Sequence, residues 1–247
     1  MTEPVLVERA ADAWTLTLNR PQQGNACSAD LVRGLSAALS EAAQQGAPAV
    51  VLRGAGRHFC TGFDLSNLEA ETDDSLLARF VRIELLLQQV ARAPYLTVAI
   101  GHGRIMGAGA DLFAACTVRA IHGDASFAFP GARGFGLVLG TRRLAGRVGP
   151  QAALDWVESA RTIAADEALR TGLASLRIDQ PQDVAAVLAA RSLQHAGVRE
   201  ALAHAVSPSQ AREDAGDLDQ LVRSAARAGL RDRIAAYLEQ VKARPRG

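Results

Sequence analysis

The stretch Gly103-Arg104-Ile105-Met106-Gly107-Ala108-Gly109-Ala110-Asp111-Leu112 carries the most information about the fold of this sequence. It follows the apolar run 95–100, which predicts a strand, and its small residues stand where that strand turns towards a helix. We expect residues 107–109 to form the first turn of this helix, which continues through Ala115. The N–H groups of a first helical turn lack intrahelical acceptors and lie at the positive end of the helix dipole, so they favour an anion.

A second stretch, Gly56-Arg57-His58-Phe59-Cys60-Thr61-Gly62-Phe63-Asp64-Leu65, has the same character and follows the buried-strand pattern Val50-Val51-Leu52. Two backbone N–H groups aimed at one oxygen form an oxyanion hole, where each donor contributes roughly 3 to 4 kcal/mol in the transition state. Turns and helix–strand contacts also require glycine, so a purely structural role for both stretches remains open at this point.

The sequence around these stretches predicts an α/β fold. Up to residue 125, strand patterns at 5–8 and 14–18 alternate with helical patterns, one from the N-cap Ser28 to about residue 45 and one over 75–91. Such alternation predicts a mainly parallel sheet with helical crossovers. Beyond Pro130, helical patterns dominate over 150–157, 165–171, 184–196, 199–205 and 218–241. The apolar stripe of 218–241 fits packing on the chain's own core and packing on another subunit equally well.

Composition excludes several classes of function. The 247 residues are 49% hydrophobic and 21% charged, and the net charge of +1 has no basic face, which argues against nucleic acid or a membrane surface as partner. Three scattered cysteines predict neither a disulfide framework nor a metal site. The sequence has no leader-like N-terminus and no uncharged apolar run of membrane-spanning length, which predicts a cytoplasmic protein with a small-molecule substrate.

The sequence excludes two other glycine-rich motifs, the dinucleotide-binding fingerprint and the P-loop. After Gly101-His102-Gly103, Met106 stands where a dinucleotide-binding fingerprint requires its third glycine. A P-loop is excluded because Lys242 is the only lysine and no Gly-Lys-Ser/Thr occurs.

A series of motifs resembles the enoyl-CoA hydratase/isomerase (crotonase) family, in the family's order and approximate spacing. They are Leu18-Asn19-Arg20-Pro21 with Asn25-Ala26, the 59–65 and 107–111 runs, Phe129-Pro130, and Gly140-Thr141-Arg142-Arg143-Leu144. The match covers about residues 5–180, and the helical tail more loosely. The resemblance implies a crotonase-like spiral of strand–strand–helix repeats over residues 1–190 and a C-terminal helical oligomerisation region over 191–247, assembled as a homotrimer or a dimer of trimers.

The resemblance also implies roles for individual residues. The oxyanion-hole N–H groups would belong to Phe63 and Ala108, and the substrate would be an acyl-CoA thioester, with coenzyme A entering as part of the substrate and no separate cofactor. The predicted substrate-binding residues are Asn25, Ala26, Thr61, Gly62, Asp64, Leu65 and Gly107.

The sequence departs from the family's pattern at the proton-transfer groups. Hydratases of this family are understood to use two glutamates; the first position here holds Asp111 and the second holds Gly131. Asp111 follows Ala108 by three residues, so both lie on one face of the helix, where the helix dipole should depress the pKa of this carboxyl unless burial opposes it. Asp111 is either a catalytic group or a helix-start aspartate that satisfies local N–H groups.

These observations predict an acyl-CoA enzyme of the hydratase/isomerase type that stabilises a thioester enolate with one carboxylate. The alternatives are a catalytically weak or inactive acyl-CoA-binding homologue, or an enzyme of decarboxylation or thioester hydrolysis. We interpret His58, Cys60 and His102 as structural residues. Arg133 is either part of a surface salt bridge or a partner for a carboxylate on the substrate.

Overall fold

The computed structural model describes residues 3–193 and 197–243. Its strands are β1 (Val5–Arg9), β2 (Trp14–Leu18), β3 (Ala49–Gly54), β4 (Leu96–Gly101), β5 (Arg104–Met106), β6 (Val118–Ile121), β7 (Ser126–Ala128), β8 (Ile163–Ala164) and β9 (Leu176–Arg177). Its helices are α1 (Ala29–Gln44), α2 (Asp73–Ala91), α3 (Ala108–Ala115), α4 (Gly131–Phe135), α5 (Thr141–Val148), α6 (Pro150–Ser159), α7 (Ala165–Thr171), α8 (Val184–Arg191), α9 (Val198–Val206), α10 (Gln210–Ala225) and α11 (Leu230–Ala243).

The strands form two sheets. The larger sheet has the order β1-β2-β3-β4-β6-β9, in which only the β1–β2 pair is antiparallel. The smaller sheet has the order β5-β7-β8. The chain runs β1-β2-α1, then β3-α2, then β4-β5-α3, then β6-β7-α4. In the last two of these units the first strand belongs to the larger sheet and the second to the smaller one. This arrangement confirms the predicted α/β fold and its repeating spiral.

The first helices begin where side chains cap them. Ser28 accepts a hydrogen bond from the N–H of Leu31 at 3.1 Å, as its predicted N-cap role requires. Helix α2 begins two residues earlier than predicted, because Thr72 and Ser75 form a capping box that satisfies the N–H groups of its first turn.

The structure corrects two of the predicted C-terminal helices. The single helix predicted over 218–241 is two helices, α10 and α11, because Gly229 adopts a φ of 75° that ends helical geometry between them. The helix predicted over 184–196 ends at Arg191, and residues 194–196 of that prediction lie outside the described residues.

Helices α10 and α11 pack on the chain's own core, which was one of the two alternatives left open. Leu221 and Ala225 of α10 and Leu230 and Ile234 of α11 are buried in the main hydrophobic cluster. Asp73 of α2 accepts hydrogen bonds of 2.8 Å from the N–H groups of two residues at the start of α11, which supplies acceptors for that helix end.

A buried ion-pair network joins α2, α5 and α10. Arg143 forms ion pairs with Glu84 and with Asp217, and all three side chains are almost fully buried. Breaking such a pair by removing one partner costs about 3 to 5 kcal/mol, because the other charge is left uncompensated. The network therefore ties the C-terminal helices to the α/β core.

No helix within residues 3–193 and 197–243 combines the length and the apolar composition that crossing a membrane requires.

Candidate functional site

An apolar cavity lies where the two glycine-rich stretches meet. Seven residues singled out from the sequence line it: Thr61, Gly62, Phe63, Leu65, Gly107, Ala108 and Asp111. A second group of lining residues, called the far wall below, comes from the 129–141 segment together with Val157 and Tyr237. The structure thus brings together stretches that are separated by about forty residues in the sequence.

The two stretches approach each other because glycine stands at their contact. Gly62 adopts a φ of 104°, and a Cβ atom there would lie 2.9 Å from the carbonyl oxygen of Met106 and 3.7 Å from the nitrogen of Ala108. Only a residue without a side chain allows this approach. Cys60 and Ile105 pair in an isolated parallel bridge beside this contact and hold the stretches in register.

The backbone N–H of Phe63 faces away from its neighbouring strand. In that pairing, Gly62 accepts a hydrogen bond of 2.7 Å from Cys27, and Asp64 donates one of 3.3 Å back to Cys27. Phe63 lies between these two bonds, and among the described residues its N–H has no backbone or side-chain acceptor. An unused N–H at the lining of an apolar cavity is free to bind a ligand oxygen.

The N–H of Ala108 is unused for a different reason. Ala108 is the first residue of α3, so its N–H has no acceptor within the helix, and the described residues supply none from outside. The preceding Gly107 donates to Ala128 at 2.8 Å and has a φ of 50°. This conformation turns the chain so that the start of α3 opens into the cavity.

The ring of Phe63 is held on both faces. It stacks on Phe80 with centroids 4.2 Å apart, and the guanidinium of Arg79 lies 4.3 Å from its other face. Arg79 is itself fixed by an ion pair with Glu71 and by a hydrogen bond to the carbonyl of Asp64. The ring therefore forms a fixed part of the cavity wall.

Asp111 is a buried carboxylate at the cavity. Its side chain is 5% exposed, and its Oδ1 atom is buried without a hydrogen-bond partner among the described residues. Gly140, with a φ of 67°, lies against this carboxylate, and a Cβ atom at that position would overlap it. The glycine at position 140 therefore leaves the space that the Asp111 carboxylate occupies.

Burial opposes the depression of the Asp111 pKa that the helix start alone would produce. Burial raises the pKa of this carboxyl well above its ordinary value; the nearby Arg143 opposes the rise and Glu84 adds to it. Burial in an apolar region disfavours the charged form more than the helix start favours it. A carboxyl group with a raised pKa is suited to proton transfer near neutral pH.

No second carboxylate belongs to the described lining of the cavity. Gly131 lines the cavity at the start of α4, as the sequence indicated. Tyr237, from α11, also lines it and was missed from the sequence, because the period-based analysis treated its helix only as an apolar stripe. Its position depends on the long-range docking of α11 on α4, which no local pattern reveals.

Three predicted substrate-binding residues lie behind the cavity lining. The Asn25 side chain is fully buried, donates to the carbonyls of Ala55 and His58 at 2.9 and 2.7 Å and accepts from the N–H of Arg20 at 2.8 Å. The amide hydrogens of Asn25 are therefore used internally, and contact of the Asn25-Ala26 segment with the substrate stays a prediction.

Ala26 and Asp64 also make internal contacts. Arg20 donates to the carbonyl of Ala26 at 2.7 Å and forms an ion pair of 2.7 Å with Asp64, a buried carboxylate that also accepts from the N–H of Ser66. The Asp64 side chain therefore fixes the turn, and contact of this segment with the substrate stays a prediction.

The remaining polar candidates have structural roles. His58 accepts from the N–H of Arg104 at 3.1 Å, and the His102 ring lies 2.9 Å from the carbonyl oxygen of Gly56. Cys60 is buried with its sulfur 3.6 Å from that of Cys27.

The structure corrects both interpretations of Arg133. Its guanidinium donates to the backbone carbonyl of Glu158 at 3.1 Å, and it forms neither a salt bridge with a described side chain nor part of the cavity lining. Within the described ranges, no group of His, Cys, Asp and Glu residues is arranged to hold a metal ion.

Comparisons with known proteins agree with this geometry. The sequence model described as enoyl-CoA hydratase/isomerase matches residues 8–245. A probable enoyl-CoA hydratase of Mycobacterium tuberculosis is 33% identical over 223 residues, which cover 88% of this chain and 85% of that protein. A crystal structure from Bordetella parapertussis, assigned as an enoyl-CoA hydratase/isomerase, superposes with a TM-score of 0.91 at 42% identity and covers 99% of this chain and 100% of that one.

Proposed function

The chain belongs to the enoyl-CoA hydratase/isomerase family, and on that premise we propose that it binds an acyl-CoA thioester in the cavity and stabilises the enolate of that thioester. The observation that carries the proposal is the presence of two unused backbone N–H groups, on Phe63 and Ala108, beside the single carboxylate Asp111. Coenzyme A enters as part of the substrate, and the proposed chemistry uses no separate cofactor.

The N–H groups of Phe63 and Ala108 would form the oxyanion hole. Their stretches touch at Gly62, where a Cβ atom would lie 3.7 Å from the Ala108 nitrogen, so both donors flank one small region of the cavity. When a proton leaves the carbon next to a thioester, negative charge develops on the thioester oxygen. Donors that are already in place stabilise this charge without reorganising.

Asp111 would transfer the proton. It follows Ala108 by one helical turn, which brings its carboxylate to the same side of the helix as the proposed donor. Because burial raises its pKa, the ionised form is a stronger base than an exposed aspartate. With Gly131 at the second position, the proposed chemistry depends on one carboxylate.

The acyl group would be uncharged. No Lys, Arg or His belongs to the described lining of the cavity, and most of that lining is aliphatic or aromatic. A carboxylate on the acyl chain would be buried there without a counter-charge, at a cost of several kcal/mol. We therefore expect malonyl and other dicarboxyl thioesters to bind less tightly than simple enoyl and saturated ones.

The test is turnover of crotonyl-, 3-enoyl-, malonyl- and butyryl-CoA, followed by mass spectrometry, with binding measured by calorimetry. Asp111→Asn should lower turnover by about 10²- to 10⁴-fold, the range for loss of a general acid or base, and leave binding within a few-fold. Asp124→Asn, which changes an exposed turn carboxylate, is the matched control. Unimpaired turnover in Asp111→Asn would rule out the proposed role.

A second candidate is an acyl-CoA-binding protein without proton transfer, which the glycine at position 131 favours. It predicts calorimetric binding of CoA thioesters by the unmodified chain with no conversion of any of them. Decarboxylation or thioester hydrolysis would show in the same panel as loss of carbon dioxide or release of free coenzyme A.

We further propose a cytoplasmic enzyme that assembles as a homotrimer or a dimer of trimers. Helix α9 supports assembly, because Leu202 and Val206 are 55% and 86% exposed and would be covered in an interface. Light scattering of the purified chain measures the mass directly, and a monomer at micromolar concentration would refute the proposed assembly.

A further inference from the structure

Tyr237 belongs to the far wall of the cavity. Its ring packs edge-to-face on Phe135 with centroids 5.6 Å apart and covers Gly134 of α4. A Cβ atom on Gly134 would lie 2.8 Å from the ring, so this packing requires glycine there. The Tyr237 ring thus occupies the space that a side chain at position 134 of α4 would fill.

The covered position shares a helix face with the missing glutamate. Gly131 and Gly134 are three residues apart in α4, so both point to the same side, and Gly131 belongs to the same cavity as Tyr237. An aromatic ring from α11 therefore lies along the face from which a side chain at position 131 would extend.

The place of Tyr237 is fixed by contacts on the preceding turn of α11. Arg233, one turn earlier, donates to the carbonyl of Phe135 at 3.0 Å and to the carbonyls of Arg227 and Ala228 at 2.7 and 2.9 Å. These bonds hold the start of α11 against α4 and against the loop before α11, and so support the position of the phenol.

The Tyr237 hydroxyl has no internal partner in the described part of the chain. The chain has two tyrosines, and the other, Tyr95, donates to the carbonyl of Leu39 at 2.9 Å. Apart from Asp111, Tyr237 is the only titratable side chain in the described cavity lining. From this juxtaposition we infer that the Tyr237 hydroxyl is the second proton-transfer group of the site, in place of a carboxylate at position 131.

This inference rests on the proposed function and gives the two groups separate tasks. With a 3-enoyl thioester, ionised Asp111 takes a proton from C2, and the C–H electron pair forms the dienolate, whose negative charge lies on the thioester oxygen. The Tyr237 hydroxyl then gives its proton to C4, and the double bond comes to lie between C2 and C3. One proton passing from neutral Asp111 to the Tyr237 phenolate through solvent restores both groups.

The test compares Tyr237→Phe with the unmodified full chain in two assays. Tyr237→Phe keeps the ring and removes only the hydroxyl. We expect the net isomerisation of a 3-enoyl-CoA to fall about 10²- to 10⁴-fold, the range for general acid catalysis. Exchange of the C2 protons of butyryl-CoA in D2O, which requires only Asp111 and the N–H donors, should stay within twofold of the parent rate.

Tyr95→Phe is the matched control. It removes a buried hydroxyl outside the cavity and should lower the melting temperature while leaving turnover per folded molecule unchanged. Calorimetric binding of butyryl-CoA by Tyr237→Phe should equal that of the parent.

Three outcomes would overturn the inference. Unchanged isomerisation in Tyr237→Phe would reduce the residue to packing, and equal loss of isomerisation and exchange would make it a positioning residue. A parent chain that binds acyl-CoA and performs neither reaction would remove proton transfer altogether. A parent chain that binds no CoA thioester would instead refute the proposed function, which the calorimetry detects separately.

Discussion

The two walls of the cavity are built in opposite ways. The α3 wall consists of two short stretches in which the functional groups lie next to the glycines that expose them, as Asp111 and Ala108 lie next to Gly107 and Gly109. The far wall joins Gly131 and Gly134 of α4 to Tyr237, more than one hundred residues later in the chain.

The difference shows how each wall can lose its function. Backbone donors and a carboxylate on one helical turn are placed by local geometry, so only a change that alters the turn or crowds the carboxylate displaces them. The far wall depends on helix docking, so small changes in packing between α4 and α11 move its hydroxyl. Substitutions at glycines of each wall separate these two dependencies.

Among the glycine substitutions, Gly140→Ala should lower turnover the most, because it acts directly on the Asp111 carboxylate of the α3 wall. The new methyl group would overlap the Asp111 carboxylate and force it to move. Displacement on the order of 1 Å costs about a hundredfold in rate, which steady-state turnover of the best substrate would measure.

Gly46→Ala controls for backbone strain. Gly46 has a φ of 68°, almost that of Gly140 at 67°, but a Cβ atom there meets nothing within 4 Å. It should cost roughly 1 to 2 kcal/mol of stability from the left-handed backbone conformation and leave turnover unchanged. Equal turnover in both variants would show that the position of the carboxylate is unimportant.

Gly134→Ala should have an intermediate effect on the far wall. Its methyl group would lie 2.8 Å from the Tyr237 ring, so the ring must shift, and we expect a loss of turnover on the order of tenfold. C2 exchange should be spared, because Asp111 is untouched.

Gly146→Ala in α5 is the control for this variant, since its Cβ atom meets nothing within 4 Å and alanine favours a helix over glycine by about 1 kcal/mol. It should therefore raise the melting temperature and preserve turnover. If Gly134→Ala preserved turnover as this control does, the position of the Tyr237 ring would be unimportant for turnover.

Apart from the loss of turnover expected above, Asp111→Asn should change the stability of the fold and its dependence on pH, and this is the smallest effect that we expect. The folded pKa of Asp111 is raised by burial, so the stability that the neutral carboxyl provides is fully present below its unfolded pKa of about 3.9. It is lost as the pH rises through the folded pKa, because ionisation then favours the unfolded chain.

Asparagine does not ionise, so the melting temperature of the variant relative to the parent should increase from pH 4 towards pH 8. Thermal unfolding of both chains across that range measures the difference. A difference that decreases with rising pH would mean that the folded pKa lies below the ordinary value.

The contrast between the walls also explains what the sequence could predict. Helices α1 to α3 and the long strands were predicted closely, because caps such as Ser28 and the apolar periods are local signals. The roles of Phe63, Ala108 and Asp111 were predicted from the family resemblance of motifs that are short and local in the sequence. Short helix α4 was missed, since five residues with two glycines carry no period.

Long-range contacts account for what the sequence left open. The rise in the Asp111 pKa could not be predicted from α3 alone, because its burial is imposed by packing from outside α3, including Gly140 of a later segment. Asn25 and Asp64 were assigned to the substrate from resemblance, and the contacts that their side chains make within the turn had no local signal. Tyr237 could be identified only after α11 was docked.

The ion pairs of Arg143 have a consequence for the order in which the protein is made. Synthesis begins at the N-terminus, so Glu84 and Arg143 emerge from the ribosome well before Asp217, the second partner of this buried arginine. A nascent chain that has reached residue 190 therefore lacks one of the two carboxylates that hold Arg143 and has a cavity with one side open. Both are completed only after α10 and α11 have emerged, so the release of these two helices is the step that completes the cavity.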